Sequence, residues 1–341
     1  MTKRLAEVAK KAGVSEATVS RVLNGRSGVS ESTRASVLTA LDVLGYERPT
    51  KLRGERGRLV GLVLPELQNP IFPALAEVVT ASLAQRGFTP ALCARTIGGV
   101  PERDYIEMLL DHQVSGVVFA GGSYALADAE HGHYRQLLDR RMPVVMVNAG
   151  VDDLGFPHIS TDDAVAVEQA YGHLRSLGHE KIGMVMGPED HMPSRRKLAA
   201  VAEFAGWRSP DDWVVERTTF SMESARLAAA RLIQRGVTGM ICASDVLALG
   251  SIRAARRLGL DVPRDVSVVG FDDSILMTCT DPPLTTVRQP IEMMGQAAVD
   301  LLVNQIEGTG VAPDELLFEP ELVVRGSTAP ARLRAAPAQA V

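Results

Sequence analysis

From residue 59 onward the chain repeats one pattern, a short apolar run followed by an amphipathic stretch of helical period, and few folds accommodate it. Apolar runs at 59–64, 91–93, 116–119 and 144–147 are separated by helical stretches at about 70–85, 102–112 and 134–141. Further runs at 182–186, 240–243 and 266–271 alternate with stretches at about 162–177, 195–205, 222–235 and 245–258. Strands that are apolar along their whole length need cover on both faces, which predicts parallel sheets flanked by helices. Two such sets in tandem predict an α/β body of two doubly wound parallel-sheet subdomains with a cleft between them. Ligands of these folds sit at the carboxyl ends of strands, so binding residues belong in the loops that follow strands. At roughly 100–200 residues per domain, the chain has room for a further unit.

That unit is the basic N-terminus. Residues 1–58 carry 12 Lys and Arg against 6 Asp and Glu, a net of +6, whereas the whole chain is at -5. A basic head on an acidic body predicts that the head meets a polyanion. Leu5, Val8, Ala9 and Ala12 recur at helical spacing until Gly13 breaks the run. Ser15 is placed to cap a second helix with Val19, Val22 and Leu23 on one face, which Asn24-Gly25 ends. Ser30 is placed to cap a third, with a buried stripe of Val37, Leu38, Leu41 and Leu44 and a stop at Gly45. The glycine between the first two helices permits the steep crossing of a helix-turn-helix. In that arrangement the second helix enters the major groove, with Ser15, Glu16, Ala17, Thr18 and Ser20 toward the bases and Arg21 one turn later. Arg21 can reach a guanine edge or a phosphate, the hydroxyls suit phosphates, and Glu16 can accept from a cytosine amino group. Spacing alone leaves a generic three-helix module equally open.

The residues themselves go further. The run LAEVAKKAGVSEATVSRVLNG at 5–25, with Val29-Ser30-Glu31-Ser32-Thr33-Arg34 and Leu44-Gly45-Tyr46, closely resembles the DNA-binding head of the LacI/GalR family of bacterial repressors. The resemblance implies that Asn24, Ser30, Thr33 and Tyr46 join the DNA contacts. It divides the chain into a head at 1–46, a hinge at 47–58, an effector-binding and dimerisation body at 59–328 and a disordered Ala/Pro tail at 329–341. In the family a hinge leucine wedges into the central base step of the operator, and Leu52 is the large apolar residue available for that role. This hinge is shorter than the family's and lacks its Ala-Arg-Ser-Leu pattern. Gly54 and Gly57 disfavour a long hinge helix, so a flexible tether is the alternative.

Asn69-Pro70-Ile71-Phe72, Leu177-Gly178-His179, the stretch 243–250, Val268-Val269-Gly270-Phe271-Asp272-Asp273 and Pro283-Leu284-Thr285-Thr286-Val287 resemble the same family's effector domain, itself similar to periplasmic sugar-binding proteins. Carried over position by position, effector contacts fall on Ile71, Phe72, Asn148, Phe220, Ser244, Asp272 and Gln289. A carboxylate such as Asp272 accepts paired hydrogen bonds from sugar hydroxyls, although it could instead cap the helix that follows. Where the family has an Arg followed three residues later by Gly, this chain has Lys197 and Ala200. Lysine is a point donor without a planar fork, so Arg195 or Arg196 is a candidate to take over the contact. The hinge and the Arg195-Arg196-Lys197 stretch look most like actinobacterial regulators of maltose or α-glucoside use.

Catalytic signatures do not emerge: there is no phosphate-cradling glycine loop, nucleophile elbow or zinc-protease helix. Asp162-Asp163 and Asp272-Asp273 could work as acid and base, but acidic pairs after strands more often cap helices or hold hydroxyls. Glu130 with His131-Gly132-His133 reads as a solvated loop, without a spaced ligand set for a metal. Cys93, Cys242 and Cys279 are dispersed and read as buried free thiols in a reducing cytoplasm. With no apolar N-terminal region, no signal peptide or membrane span is expected. The sequence therefore points to a homodimeric, cofactor-free repressor of a near-palindromic operator, answering to a small-molecule effector, a sugar by resemblance. The competing class is a cytoplasmic solute-binding protein without DNA activity, and an enzyme on this sheet architecture stands third.

Overall fold

A computed structural model describes residues 2–23, 28–44, 58–96, 98–151, 154–206 and 214–332. Asn24, Tyr46, Leu52, the hinge up to residue 57 and the tail from 333 lie outside the described residues. The chain forms two compact units, Met1–Arg58 and Leu59–Val341.

The head is three helices, α1 (Thr2–Ala12), α2 (Glu16–Leu23) and α3 (Glu31–Val43). Gly13 ends α1 in the left-handed region at φ +68°, where a side chain would be strained. Thr18 N donates to Ser15 Oγ at 3.1 Å and Thr33 N to Ser30 Oγ at 3.2 Å, so both serines cap as expected. Val8, Ala9, Val19, Val22, Val37, Ala40 and Leu41 are buried together, a core that only apolar residues at three- and four-residue spacing could build. Leu38 and Leu44 pack at its edge, and Ala40 completes the α3 stripe in their place.

The body opens with β1 (Arg58–Leu64), α4 (Ile71–Gln85), β2 (Phe88–Ala94), α5 (Glu102–Asp111), β3 (Gly116–Phe119), α6 (Gly132–Asp139), β4 (Val144–Val147) and β5 (His158–Thr161). It continues through α7 (Asp163–Ser176), β6 (Ile182–Met186), α8 (Met192–Phe204), β7 (Val215–Arg217), α9 (Met222–Gln234), β8 (Gly239–Cys242), α10 (Asp245–Arg257), β9 (Ser267–Asp272) and β10 (Thr285–Arg288). Last come α11 (Ile291–Ile306), β11 (Glu315–Phe318) and β12 (Glu321–Val323).

Two six-stranded sheets result, ordered β2-β1-β3-β4-β5-β11 and β7-β6-β8-β9-β10-β12. Their cores are parallel, with Val60 opposite Gly116 and Ile182 opposite Gly239, and β12 closes the second antiparallel to β10. In both sheets the order reverses beside the first strand, so the loops after β1 and β3, and after β6 and β8, open into crevices. Lobe 1 buries Val60, Leu62, Val118, Val145 and Val147 against α4 and α11, whose stripe is Met294, Ala298, Val299 and Leu302, and Val63, Val117 and Val144 against α5 and α6 on the other face. Lobe 2 buries Met184, Val185, Met240, Val268 and Val269 against α7 to α10.

Three segments cross between the lobes, β5 to α7, β10 to α11 and β11 to β12. They place Thr161, Asp163 and Gln289 at the hinge.

Two expectations need correction. Residues 329–332 are ordered: His179 Nε2 donates to Ala329 O at 3.1 Å, Ala331 N to Leu177 O at 2.8 Å, and Arg332 pairs with Asp265 at 2.7 Å. Backbone bonding anchors them despite their Ala/Pro composition. Cys93 and Cys242 are buried, but Cys279 is exposed, because it ends a 3-10 turn (Ile275–Thr278) outside the strand core. No helix among the described residues is long and apolar enough to cross a membrane.

Candidate functional site

Two sites emerge, one in each unit. In the head, α2 buries Val19 and Val22 and leaves Glu16, Ala17 and Arg21 exposed on the opposite side, with Thr18 and Ser20 half-buried. Ser15 is exposed but its hydroxyl is engaged, capping α2 and meeting Thr18 Oγ1 at 2.9 Å. Ser30 does the same for α3, meeting Thr33 Oγ1 at 2.8 Å. A short helix with one apolar edge docked on two others and a hydroxyl- and arginine-bearing edge in water is the shape a major groove accepts.

In the body, the strand-end loops of both lobes enclose a cavity of about 210 Å³. That is several times the roughly 30 Å³ of a water molecule, enough for a small organic ligand. Ile71 and Phe72 enter from the start of α4, Asn148 from the end of β4, Lys197 from α8 and Phe220 from the loop after β7. Ser244, Asp272 and Gln289 enter after β8, at the end of β9 and on the second crossover. Eight of the nine expected effector residues therefore meet. Arg195 does not: it lies exposed on the outer side of α8, two residues before Lys197, and is not among the cavity-lining residues. Arg196 turns toward lobe 1 and pairs with Glu315 at 2.7 Å.

Asp272 is the centre of the polar network. Gln289 Nε2 donates to its Oδ1 at 2.7 Å and Asn69 Nδ2, from the other lobe, to its Oδ2 at 3.3 Å. Thr161 Oγ1 donates to Gln289 Oε1 at 2.7 Å, so hinge and cleft share one chain of bonds. Burial, reinforced by the nearby Asp245, holds the Asp272 carboxyl well above the usual carboxylate range. It does not cap the following turn, whose N-cap is Ser274. Asp272 and Asn148 both have left-handed backbone, at φ 123° and 71°, a conformation that surrounding structure must enforce on residues other than glycine.

The other acidic residues divide their work. Asp162 caps α7 by accepting from Ala164 N at 3.0 Å and Val165 N at 3.1 Å, while Asp163 forms a buried ion pair with Lys197. Asp273 pairs with Arg288 at 2.8 Å and Arg325 at 2.6 Å.

Ser244 Oγ caps α10 by accepting from Leu247 N at 3.2 Å. His191 caps α8, its Nδ1 accepting from Ser194 N at 3.4 Å, which leaves Nε2–H as the donor of a neutral ring. Burial, with Lys197 adding to it, pushes this imidazole from 6.5 down to about 3. Its ring meets Phe220 edge-on at 4.9 Å between centroids. A Cβ at Gly187 would stand 2.6 Å from Phe220, so only glycine lets that ring lie there.

Glu66, Asn69, Arg95, Thr161, Asp163, His191 and Phe271 line the cavity without having been singled out as effector residues. Their position after a strand was the available signal. The His131 and His133 segment is also not a solvated loop. His131 Nε2 donates to Ser123 O at 3.1 Å, and His133 lies 3.5 Å from the buried Glu102, which accepts from Ser123 Oγ at 3.0 Å and from Tyr134. Glu102 draws His133 inward, and the carbonyls of Ser123 and Leu126 hold His131.

Residues 4–49 match the family model described as bacterial regulatory proteins, lacI family, and residues 171–328 match that of a periplasmic binding protein-like domain. The HTH-type transcriptional regulator reg1 of Streptomyces lividans is 51% identical over 97% of this chain and 98% of its own. Among solved structures, a transcriptional regulator CelR–cellobiose complex aligns with TM-score 0.69 and 32% identity, over 95% of this chain and 99% of that one. The lac repressor dimer bound to operator and the anti-inducer ONPF aligns with TM-score 0.71 and 29% identity, over 94% and 98%. Matched in its head by that family model and along nearly its whole length by a regulator with the same arrangement, the chain belongs to the lacI family of bacterial regulatory proteins.

Proposed function

We propose that the chain is a cytoplasmic, dimeric transcriptional repressor that leaves a near-palindromic operator when a sugar fills the cleft of its body. The observation that carries the reading is the convergence of Asn148, Asp272 and Gln289 with Phe72 and Phe220 on one cavity between two hinged lobes. A few fixed polar groups among apolar walls suit a ring with hydroxyls at its edge and C–H groups on its faces. Cellobiose in the CelR complex and the operator-bound lac repressor dimer support both halves of the reading. A two-fold dimer presents two α2 helices to two half-sites, hence the palindromy. The ligand acts by binding one lobe arrangement better than the other, a coupling between distinct sites. A solute-binding protein without DNA activity has no use for the exposed polar edge of α2.

The test is fluorescence anisotropy on a duplex selected from random DNA by the full-length protein. Maltose, cellobiose or glucose is expected to lower operator affinity, and Asp272→Ala to bind the duplex but lose the response. Failure to select any DNA, or an intact response in Asp272→Ala, overturns the proposal.

A further inference from the structure

We infer that the cleft is a charge filter that takes an uncharged, polyhydroxylated ligand and refuses acidic and phosphorylated ones, with Asp163 as the residue that sets this specificity. The inference rests on the sugar-responsive reading above and adds the charge class of the ligand.

Three side chains that line the cavity could be cationic, Arg95, His191 and Lys197. Lys197 is 4% exposed and ion-paired with Asp163, itself 7% exposed, while its ammonium lies 3.9 Å from the Phe271 ring centroid. A buried ion pair of this kind has no charge to spare for a third group. Arg95 is 39% exposed and faces the buried Glu102 at 3.5 Å, so that carboxylate and water offset its charge. His191 is held neutral by its cap to Ser194 N and by burial. Two further carboxyl groups, Glu66 and Asp272, line the space, and burial raises both above their usual range. Surroundings that disfavour their ionised forms also disfavour the carboxylate or phosphate of a ligand.

Helix N-termini are the remaining anion sites in such folds. Here they are already served from within: Asn69 Oδ1 accepts from Ile71 N at 3.4 Å, His191 caps α8 and Ser244 caps α10. Neutral hydroxyls need none of these charges, because they can donate to Asp272 and accept from Asn148, Gln289 or His191 Nε2.

The test is calorimetry on the full-length protein with ligand pairs that differ in charge: maltose and maltobionate, glucose and glucuronate, glucose and glucose 6-phosphate. Each neutral sugar that binds is expected to do so at least about tenfold more tightly than its charged partner. Equal affinity for a charged partner overturns the inference. Asp163→Asn strips Lys197 of its counter-ion and is expected to gain about tenfold or more for the acids, since the ammonium then seeks an anion. A variant that is folded by circular dichroism and shows no gain counts against the inference. The pair Asp163→Asn with Lys197→Gln removes both charges without leaving an orphan, and is expected to refuse acids as the parent does. Acid binding by this double variant would show that Lys197 is not the agent. An uncharged nucleoside binding where every sugar fails would overturn the sugar reading while supporting the filter.

Discussion

His191 shows what a buried titratable side chain can reveal. Its imidazole falls from 6.5 in the open chain to about 3 in the fold, chiefly through burial. Between those values the unfolded chain takes up a proton that the folded chain refuses, so stability rises with pH across this window. The contribution is complete above 6.5 and is lost as pH falls toward 3, at about 1.4 kcal/mol per unit of depression. His191→Asn keeps a capping acceptor without a titrating ring. Its melting temperature is expected to fall less steeply than the parent's between pH 6.5 and 4; parallel curves would refute the assignment. Neither this role nor that of Asp163 could be read along the chain. The Asp163 partner lies 34 residues away, and burial is a property of the assembled cleft. Asp272, Gln289, Phe220 and Lys197 were legible as cavity residues because motif resemblance carried their positions, whereas Arg195 was a stand-in where the chain departs from the family, and the phase of α8 leaves it in water.

At the scale of elements, α2 divides a buried apolar edge from an exposed polar one on one short helix. Ser15 and Arg21 were both expected at DNA, yet Ser15 Oγ already accepts from Thr18 N at 3.1 Å, whereas Arg21 stands exposed. Ser15→Ala is expected to cost about 1 kcal/mol of local stability, read as faster amide exchange in α2 of the full-length chain. Arg21→Ala should leave that exchange alone and weaken the selected duplex by about 1–3 kcal/mol. Unchanged exchange in the serine variant would remove the cap from the account. The elements legible in sequence were those with apolar runs or clear helical stripes. Strands β5 and β10 escaped because they are rich in Ser and Thr, whose hydroxyls are buried here by virtue of hydrogen bonds: Thr286 Oγ1 donates to Asp245 at 2.6 Å and Thr285 Oγ1 accepts from Arg325 N at 2.9 Å. The strands β11 and β12 are short edge strands, and α11 sits in the core of a lobe whose first five strands ended more than a hundred residues earlier.

At the scale of the body, the lobes meet at the rim of the cleft as well as at the hinge. Ala127 N donates to Asp190 O at 2.8 Å, beside an antiparallel bridge between Leu126 and His191. Arg196 of lobe 2 pairs with Glu315 of lobe 1, whose carboxyl is held down to about 2 chiefly by its hydrogen bond to His158, with this arginine adding to it. Any change in lobe arrangement therefore has to break these rim contacts as well as bend the hinge.

The threefold crossing also sets an order of assembly on the ribosome. When residue 161 has been made, five strands of lobe 1 and α4 exist, but α11, the second of the two helices that cover Val60, Leu62, Val118 and Val145, lies beyond residue 290. Lobe 2 by then needs only its edge strand and the closing segment up to 332. The second lobe therefore finishes its core first, reversing the N-terminal-first order of most multidomain chains. A chain released after residue 290 is expected to give a protease-resistant fragment from 163–289 while 59–161 is digested, and equal resistance of both would refute this. Until α11 emerges, the growing chain has only α4 on a face of its first sheet that needs two helices, so lobe 1 is where synthesis leaves it most open to aggregation and most in need of a chaperone.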